Sequence, residues 1–199
     1  LDDYAFFIEA LITLYQYDFD EKWLEEARNL TDYVLRNFED EASPMLFYTA
    51  ANGEALIARK HEIMDNVIPA SNSTMAQNLH KLGLLFDNDR YILKAEGMLA
   101  AVLPQIKTYG SAYSNWAIQV LESVFGINEI ALTGNDLEKA KWSLNKHYIP
   151  NKVTLGGTKS ELPLLKDKQS IETKIYICRN KVCQLPVSTV DEAINITTK

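Results

Sequence analysis

Two carboxylates open the chain, Asp2 and Asp3, followed directly by Tyr4. Acids in the first turn of a helix complement the positive end of its dipole and cap free N–H groups, which is their default role. Glycoside hydrolysis needs two carboxyl groups about 5–9.5 Å apart across the scissile bond. Neighbouring helical residues diverge by about 100°, so Asp2 and Asp3 do not form that pair by themselves. A second group is Ser71-Asn72-Ser73, all strong N-cap types whose hydroxyl and amide groups also suit sugar hydroxyls. The segment before it carries Phe47 and Tyr48, whose ring faces can stack on a pyranose, giving the mixed polar and aromatic lining of a small-molecule pocket. Arg59, Glu62 and Asp65 add charge to the same segment, and a solvated or ion-paired surface is their default reading.

The histidines His61, His80 and His147 show no HxxxH or HExxH spacing and have no cysteine close by, so the sequence points to no metal site and to no cofactor. Cys178 and Cys183 are the only cysteines. They miss the C-x-x-C spacing of dithiol oxidoreductases, and a metal would require two further ligands. The interval Arg179-Asn180-Lys181-Val182 fits a hairpin loop that sets the two sulfurs opposite one another and so permits a disulfide. Two reduced structural thiols are the expectation for a cytoplasmic protein, with a thiol-redox role for the pair as the alternative.

The elements that must position these groups follow from the apolar spacing. Leu1, Tyr4, Ala5, Ile8, Leu11, Ile12 and Tyr15 predict a first helix, and Phe6, Phe7, Ala10 and Leu14 make it apolar nearly all round, as in a buried helix. A second helix is expected from Asp20, as N-cap, to Phe38, with Glu21, Glu25, Arg28, Asp32 and Arg36 on a solvent face. Further helices are expected at Ser73–Phe86, Asp89–Ile106 and Ser111–Phe125. The buried and half-exposed types alternate, the pattern of stacked α-hairpins with inner and outer layers. Ser43–Pro69 shows no helical pattern and reads as a long functional loop. After Gly126 the character changes to strand, helix and strand: Asn128–Thr133, a helix from Asn135 to about His147 opened by a capping box with Glu138, then Lys152–Leu155. Glu172–Cys178 is a third strand and Val190–Ile196 a last helix. The domains expected are thus 1–126, helical, and 127–199, a small α/β appendage.

Lys and Arg number 20 against 27 Asp and Glu, a net charge of −7 that argues against a surface tracking nucleic-acid phosphates. No apolar run approaches the roughly 20 residues that a spanning helix needs, so no membrane is expected and a soluble, cytoplasmic protein is. The chain starts on Leu1 and runs at once into a helix, which reads as an excised piece of a longer protein.

Leu1–Tyr15 (LDDYAFFIEALITLY), Arg59–Leu82 (RKHEIMDNVIPASNSTMAQNLHKL) and Tyr176–Pro186 (YICRNKVCQLP) resemble the C-terminal third of the thioredoxin-domain family that includes the spermatogenesis-associated thioredoxin-like protein. The resemblance runs essentially end to end. Where the family reads Pro-Ser-Gly-Asn-Ser, this chain has Pro69-Ala70-Ser71-Asn72-Ser73, keeping the Asn-Ser pair and lacking the Gly. The resemblance implies a mainly α fold, part of a six-hairpin α/α toroid similar to N-acylglucosamine 2-epimerases and many glycoside hydrolases, followed by the α/β appendage. In such toroids inner-helix ends line a central cavity. The implied function is a carbohydrate-handling domain, epimerase-like or hydrolase-like, with Asp3, Tyr4, Phe47, Tyr48, Asn72 and Ser73 facing a sugar ligand. The alternative is a non-catalytic scaffold or regulatory module for the thioredoxin-like domain. Expected partners are the missing N-terminal part of the protein and, because a partial toroid leaves inner-helix surface uncovered, a second copy of the chain.

Overall fold

Asp18-Phe19-Asp20 turns one helix into the next. The computed structural model, which describes residues 1–54, 57–168 and 170–197, places α1 at Asp2–Asp18 and α2 at Glu21–Phe38. Phe19 takes left-handed φ of 61° and returns its N–H to Tyr15 O, closing α1. The Asp20 side chain then accepts from Lys22 N at 3.1 Å, the expected cap of α2. Positions 55 and 56 of the Ser43–Pro69 segment, position 169, and positions 198 and 199 of the appendage lie outside the described residues. The chain is about 53% helical, hence mainly α, and separates into two compact units, Leu1–Leu121 and Glu122–Lys199.

In the first unit, α1 buries Ala5, Ile8, Leu11, Ile12 and Tyr15, and α2 buries Leu24, Ala27, Thr31, Val34, Leu35 and Phe38, each a helical stripe. A short antiparallel pair follows, β1 at Glu39–Asp40 and β2 at Ser43–Leu46, the second at the start of the Ser43–Pro69 stretch expected to be loop. Strands of two and four residues carry too little periodicity to be read from sequence. Next come α3 at Ser71–Phe86 and α4 at Asp89–Thr108, the latter capped by Asn88, which accepts from Arg90 N. A 3-10 turn at Gly110–Tyr113 leads into α5, Ser114–Phe125.

α1 packs on both α2 and α3, and α3 on both α1 and α4, so two α-hairpins stand side by side with α1 and α3 as neighbours. Three contacts fix this arrangement. Asn78 Nδ2 on α3 donates to Ala5 O on α1 at 2.7 Å, and Tyr91 OH on α4 donates to Asp32 Oδ1 on α2 at 2.6 Å. A Cβ on Gly83 of α3 would lie 2.5 Å from Ile92 Cγ1 of α4, so the glycine lets these two helices close up. One expectation is corrected. α1 is not covered all round: Phe7, Leu14 and Tyr17 are exposed, because no described element packs on that face.

In the second unit, β3 is the expected Asn128–Thr133, buried along its whole length. α6 at Leu137–Leu144 crosses to β4 at Lys152–Gly156, parallel to β3, which is the β-α-β order read from sequence. β5 at Lys174–Arg179 and β6 at Val182–Cys183 complete a sheet of order β4-β3-β5-β6, and α7 at Val190–Thr197 follows. The capping box expected at Asn135 does not form. Asn135 N instead donates to Ile171 O at 3.2 Å, Asp136 makes no side-chain cap, and the helix is shorter at both ends. The cause is Gly134, at φ 105°, where the chain passes backbone against backbone over Glu172 and Thr173.

Candidate functional site

α1 and α3 are packed neighbours, and a polar cluster joins their N-termini: Asp2 opens α1, Ser71 opens α3, and the segment from Phe47 to Ala70 runs between them. That segment is held by paired backbone. Phe47 bridges His61, Tyr48 N donates to Lys60 O at 2.7 Å, and the Leu1 nitrogen donates to Tyr48 O at 2.8 Å. Arg59 binds the outer turn, with Nε donating to Thr49 O at 3.0 Å and Nη2 to Asn37 O at 3.1 Å.

The candidates named from sequence separate into two sets. Asn72 is fully buried: Oδ1 accepts from Leu46 N at 2.8 Å, and Nδ2 donates to Leu46 O and to Glu62 O, each at 2.9 Å. Ser73 is equally buried, donating to Asp65 Oδ1 at 2.8 Å and accepting from Asn115 Nδ2 at 2.9 Å. Both lie inside the first turn of α3, where the cap position is Ala70, so neither acts as the expected N-cap. Asp65, read from sequence as a surface charge, is buried and links three segments, accepting from Ala70 N at 2.9 Å and from Asn115 N at 2.8 Å besides Ser73. Phe47 is engaged by the Arg59 guanidinium, 4.1 Å from the ring centroid, and by the His61 ring at 4.7 Å, with His61 Nε2 3.0 Å from Asp40 Oδ2.

The other set faces outward. Asp3 and Tyr4 line a groove of about 570 Å³ together with Phe6, Phe7, Ala10 and Leu30. The Tyr4 ring stacks on Tyr33 at 5.3 Å and meets Phe38 edge-on at 5.5 Å. Burial first, and then a hydrogen bond to Tyr33, push the Tyr4 phenol above its ordinary value. Tyr48 is exposed, and its OH donates to Asp2 Oδ2 at 3.2 Å. The negative charge of Asp2, ahead of that hydrogen bond and burial, raises the Tyr48 phenol.

Asp2 and Glu62 form the pairing that sequence reasoning missed. Their carboxyl groups are within hydrogen-bond reach, and Ser71 Oγ donates to Glu62 Oε2 at 3.2 Å. Desolvation, then the hydrogen bond to Asp2 and its charge, hold the Glu62 carboxyl above the usual carboxylate range, against the pull of Ser71. Asp2 Oδ1 is buried without a protein donor. Two carboxyls this close disfavour ionisation of one another, which is the sense of the Glu62 shift. Asp2 is the chain neighbour of Asp3, which lines the groove; neither Asp2 nor Glu62 is among the groove's lining residues. Nothing in the sequence marks Glu62 as the partner of a residue 60 positions earlier; an acid shortly before a helix whose neighbour also starts with acids is the only signal.

No family model matches the chain. It is 27% identical over 202 aligned residues to spermatogenesis-associated protein 20 of Rattus norvegicus and 26% identical to that of Homo sapiens, each alignment covering 94% of this chain and 26% of the relative. An uncharacterized protein of Caenorhabditis elegans is 24% identical over 96% of this chain and 27% of its own length. The chain thus spans about a quarter of the length of the curated relatives it matches. At 26–27% identity over 94% of its length, it is homologous to spermatogenesis-associated protein 20.

Proposed function

We propose that the first unit is the carbohydrate-handling part of a larger thioredoxin-domain protein, built on two adjacent hairpins of an α/α toroid. The observation that carries this reading is the Asp2–Glu62 carboxyl pair at the start of α1, the helix whose next residues, Asp3 and Tyr4, line an aromatic groove. A sugar site needs such a combination of a positioned acid–base group and a stacking surface. The geometry favours epimerase-like over hydrolase-like chemistry. Carboxyls in hydrogen-bond contact are closer than the about 5–9.5 Å that spans a glycosidic bond. Two adjacent carboxyls instead suit removal and return of a proton next to a sugar carbonyl, one acting as base and the other as acid.

The test is incubation of the full-length protein with 2-substituted aldoses in D2O, followed by NMR at C2. Solvent deuterium entering at C2, lost in Glu62→Gln and Asp2→Asn, supports the reading, and release of free sugar from a glycoside without exchange would replace it by hydrolysis.

One observation favours the second reading, a scaffold or regulatory module for the thioredoxin-like domain. Asn72, Ser73 and Phe47 are all committed to internal contacts. A scaffold predicts neither exchange nor release.

A further inference from the structure

The expectation of two reduced thiols is corrected in the second unit, where Cys178 and Cys183 are joined by a disulfide. β5 and β6 are connected through Asn180 and Lys181, with φ of 50° and 65°, the paired positive values of a type I′ hairpin turn. Arg179 pairs with Val182 and Cys178 with Cys183, so the bond crosses directly between the two strands. The two sulfurs differ in their surroundings. Cys178 is fully buried on β5, between β3 and β6, whereas Cys183 is half-exposed at the end of a two-residue edge strand. Beside it stands a cation: Lys168 Nζ lies 3.8 Å from Cys183 Sγ, donates to Leu164 O at 2.6 Å, and sits 5.3 Å from the centre of the Tyr176 ring. Burial lowers the Lys168 ammonium, and the charge of Glu129 acts in the opposite sense.

We infer that this disulfide is a thiol–disulfide exchange site for a low-molecular-weight thiol, with Cys183 as the sulfur that meets the thiol and Lys168 as the cation that holds its thiolate. The external thiolate attacks Cys183 Sγ; a new S–S bond forms there, the Cys178–Cys183 bond breaks, and its electron pair leaves on Cys178, which takes up a proton. A second thiolate attacks the external sulfur of this mixed disulfide. The external disulfide departs, and Cys183 leaves as a thiolate beside Lys168. Two thiolates are oxidised to one disulfide, and the protein gains two electrons and one proton, held by Cys178, while Cys183 stays a thiolate beside Lys168. In reverse, the Cys183 thiolate attacks an external disulfide and Cys178 displaces the adduct. Lys168 acts on the step in which Cys183 is nucleophile or leaving group, because a cation lowers the pKa of an adjacent thiol.

The experiment treats the full chain with reduced and oxidised glutathione at graded ratios, quenches with acid, and maps cysteine states by peptide mass spectrometry while circular dichroism follows the fold. The expected result is a disulfide that opens with the fold retained and a glutathione adduct on Cys183, accumulating in Cys178→Ser. Lys168→Met should slow closure by oxidised glutathione by about threefold for each unit by which the Cys183 pKa rises. Opening only under denaturant, an adduct on Cys178, or an unchanged closure rate in Lys168→Met would each overturn the assignment. The wild-type adduct map decides the point even if Cys178→Ser fails to fold.

Discussion

The side chain of Asn72 pairs with the backbone of Leu46 as an adjacent strand would, accepting from its N–H at 2.8 Å and donating to its C=O at 2.9 Å. Through this clamp, and the further bond to Glu62 O, the first turn of α3 fixes both the end of β2 and the position of the Glu62 backbone. Asn72→Ala should therefore cost about 3 kcal/mol, since it leaves buried backbone groups without partners. Urea denaturation measures it. Asn72→Asp, which keeps the acceptor and loses both donors, should be nearly as damaging.

Stability should fall as pH rises because of Glu62. Its folded pKa lies above the ordinary value of a glutamate, so between those two values the folded state binds more protons than the unfolded chain. The contribution of the protonated carboxyl is full below the unfolded value and is lost as pH rises through the folded one. Glu62→Gln should remove this part of the slope and raise the melting temperature at pH 7 relative to the wild type, as read from thermal melts taken between pH 4 and 7. Identical pH profiles for both proteins would contradict the raised Glu62 carboxyl.

Gly134→Ala tests the second unit alone. The added Cβ would stand 2.4 Å from Glu172 O on a backbone at φ 105°, so strain and collision act together. A loss of about 2–4 kcal/mol is expected. Hydrogen exchange should show it first in β3 and β5, whose register begins at Thr133 and Lys174.

Tyr91→Phe removes the 2.6 Å bond to Asp32 that ties α4 to α2. A hydrogen bond to a charged acceptor of this kind contributes about 1.5–3 kcal/mol. Burial, and after it that bond, hold the Tyr91 phenol far above its ordinary value, so ultraviolet titration should show one tyrosine that ionises only as the protein unfolds in alkali.

Local rules made most of the fold legible, and failed where partners are distant. The run NEIALT is a strand at Asn128–Thr133 because a short apolar run next to a turn suffices there, and Asp20 caps α2 because a cap needs only its neighbours. Asn135 had the residues of a capping box, yet the contact of Gly134 with Glu172 decides the local path. Phe6, Phe7 and Leu14 gave α1 the look of a helix covered on every side, although apolarity only says that a face can be buried, not what buries it. For the site, Asp3 and Tyr4 were readable as helix-end residues and do line a groove, while Ser73 and Asn72 belong to internal networks that reach Asn115 and Leu46, far off in sequence. The Asp2–Glu62 pair depends on how α1 meets the Phe47–Ala70 segment, and no spacing rule encodes that meeting.

The account rests on sugar binding at the groove lined by Asp3 and Tyr4, with Asp2 and Glu62 paired at the start of the same helix, and a thermal-shift titration of the full-length protein with a panel of mono- and disaccharides tests it most directly. A ligand at about 100 times its dissociation constant adds about 2.7 kcal/mol to the folded state, a shift easily read. The account predicts stabilisation by at least one sugar, weakened in Asp3→Ala and Glu62→Gln while Lys168→Met, in the other unit, leaves it unchanged. No stabilisation across the panel, or stabilisation that survives both of the first two substitutions intact, would contradict it.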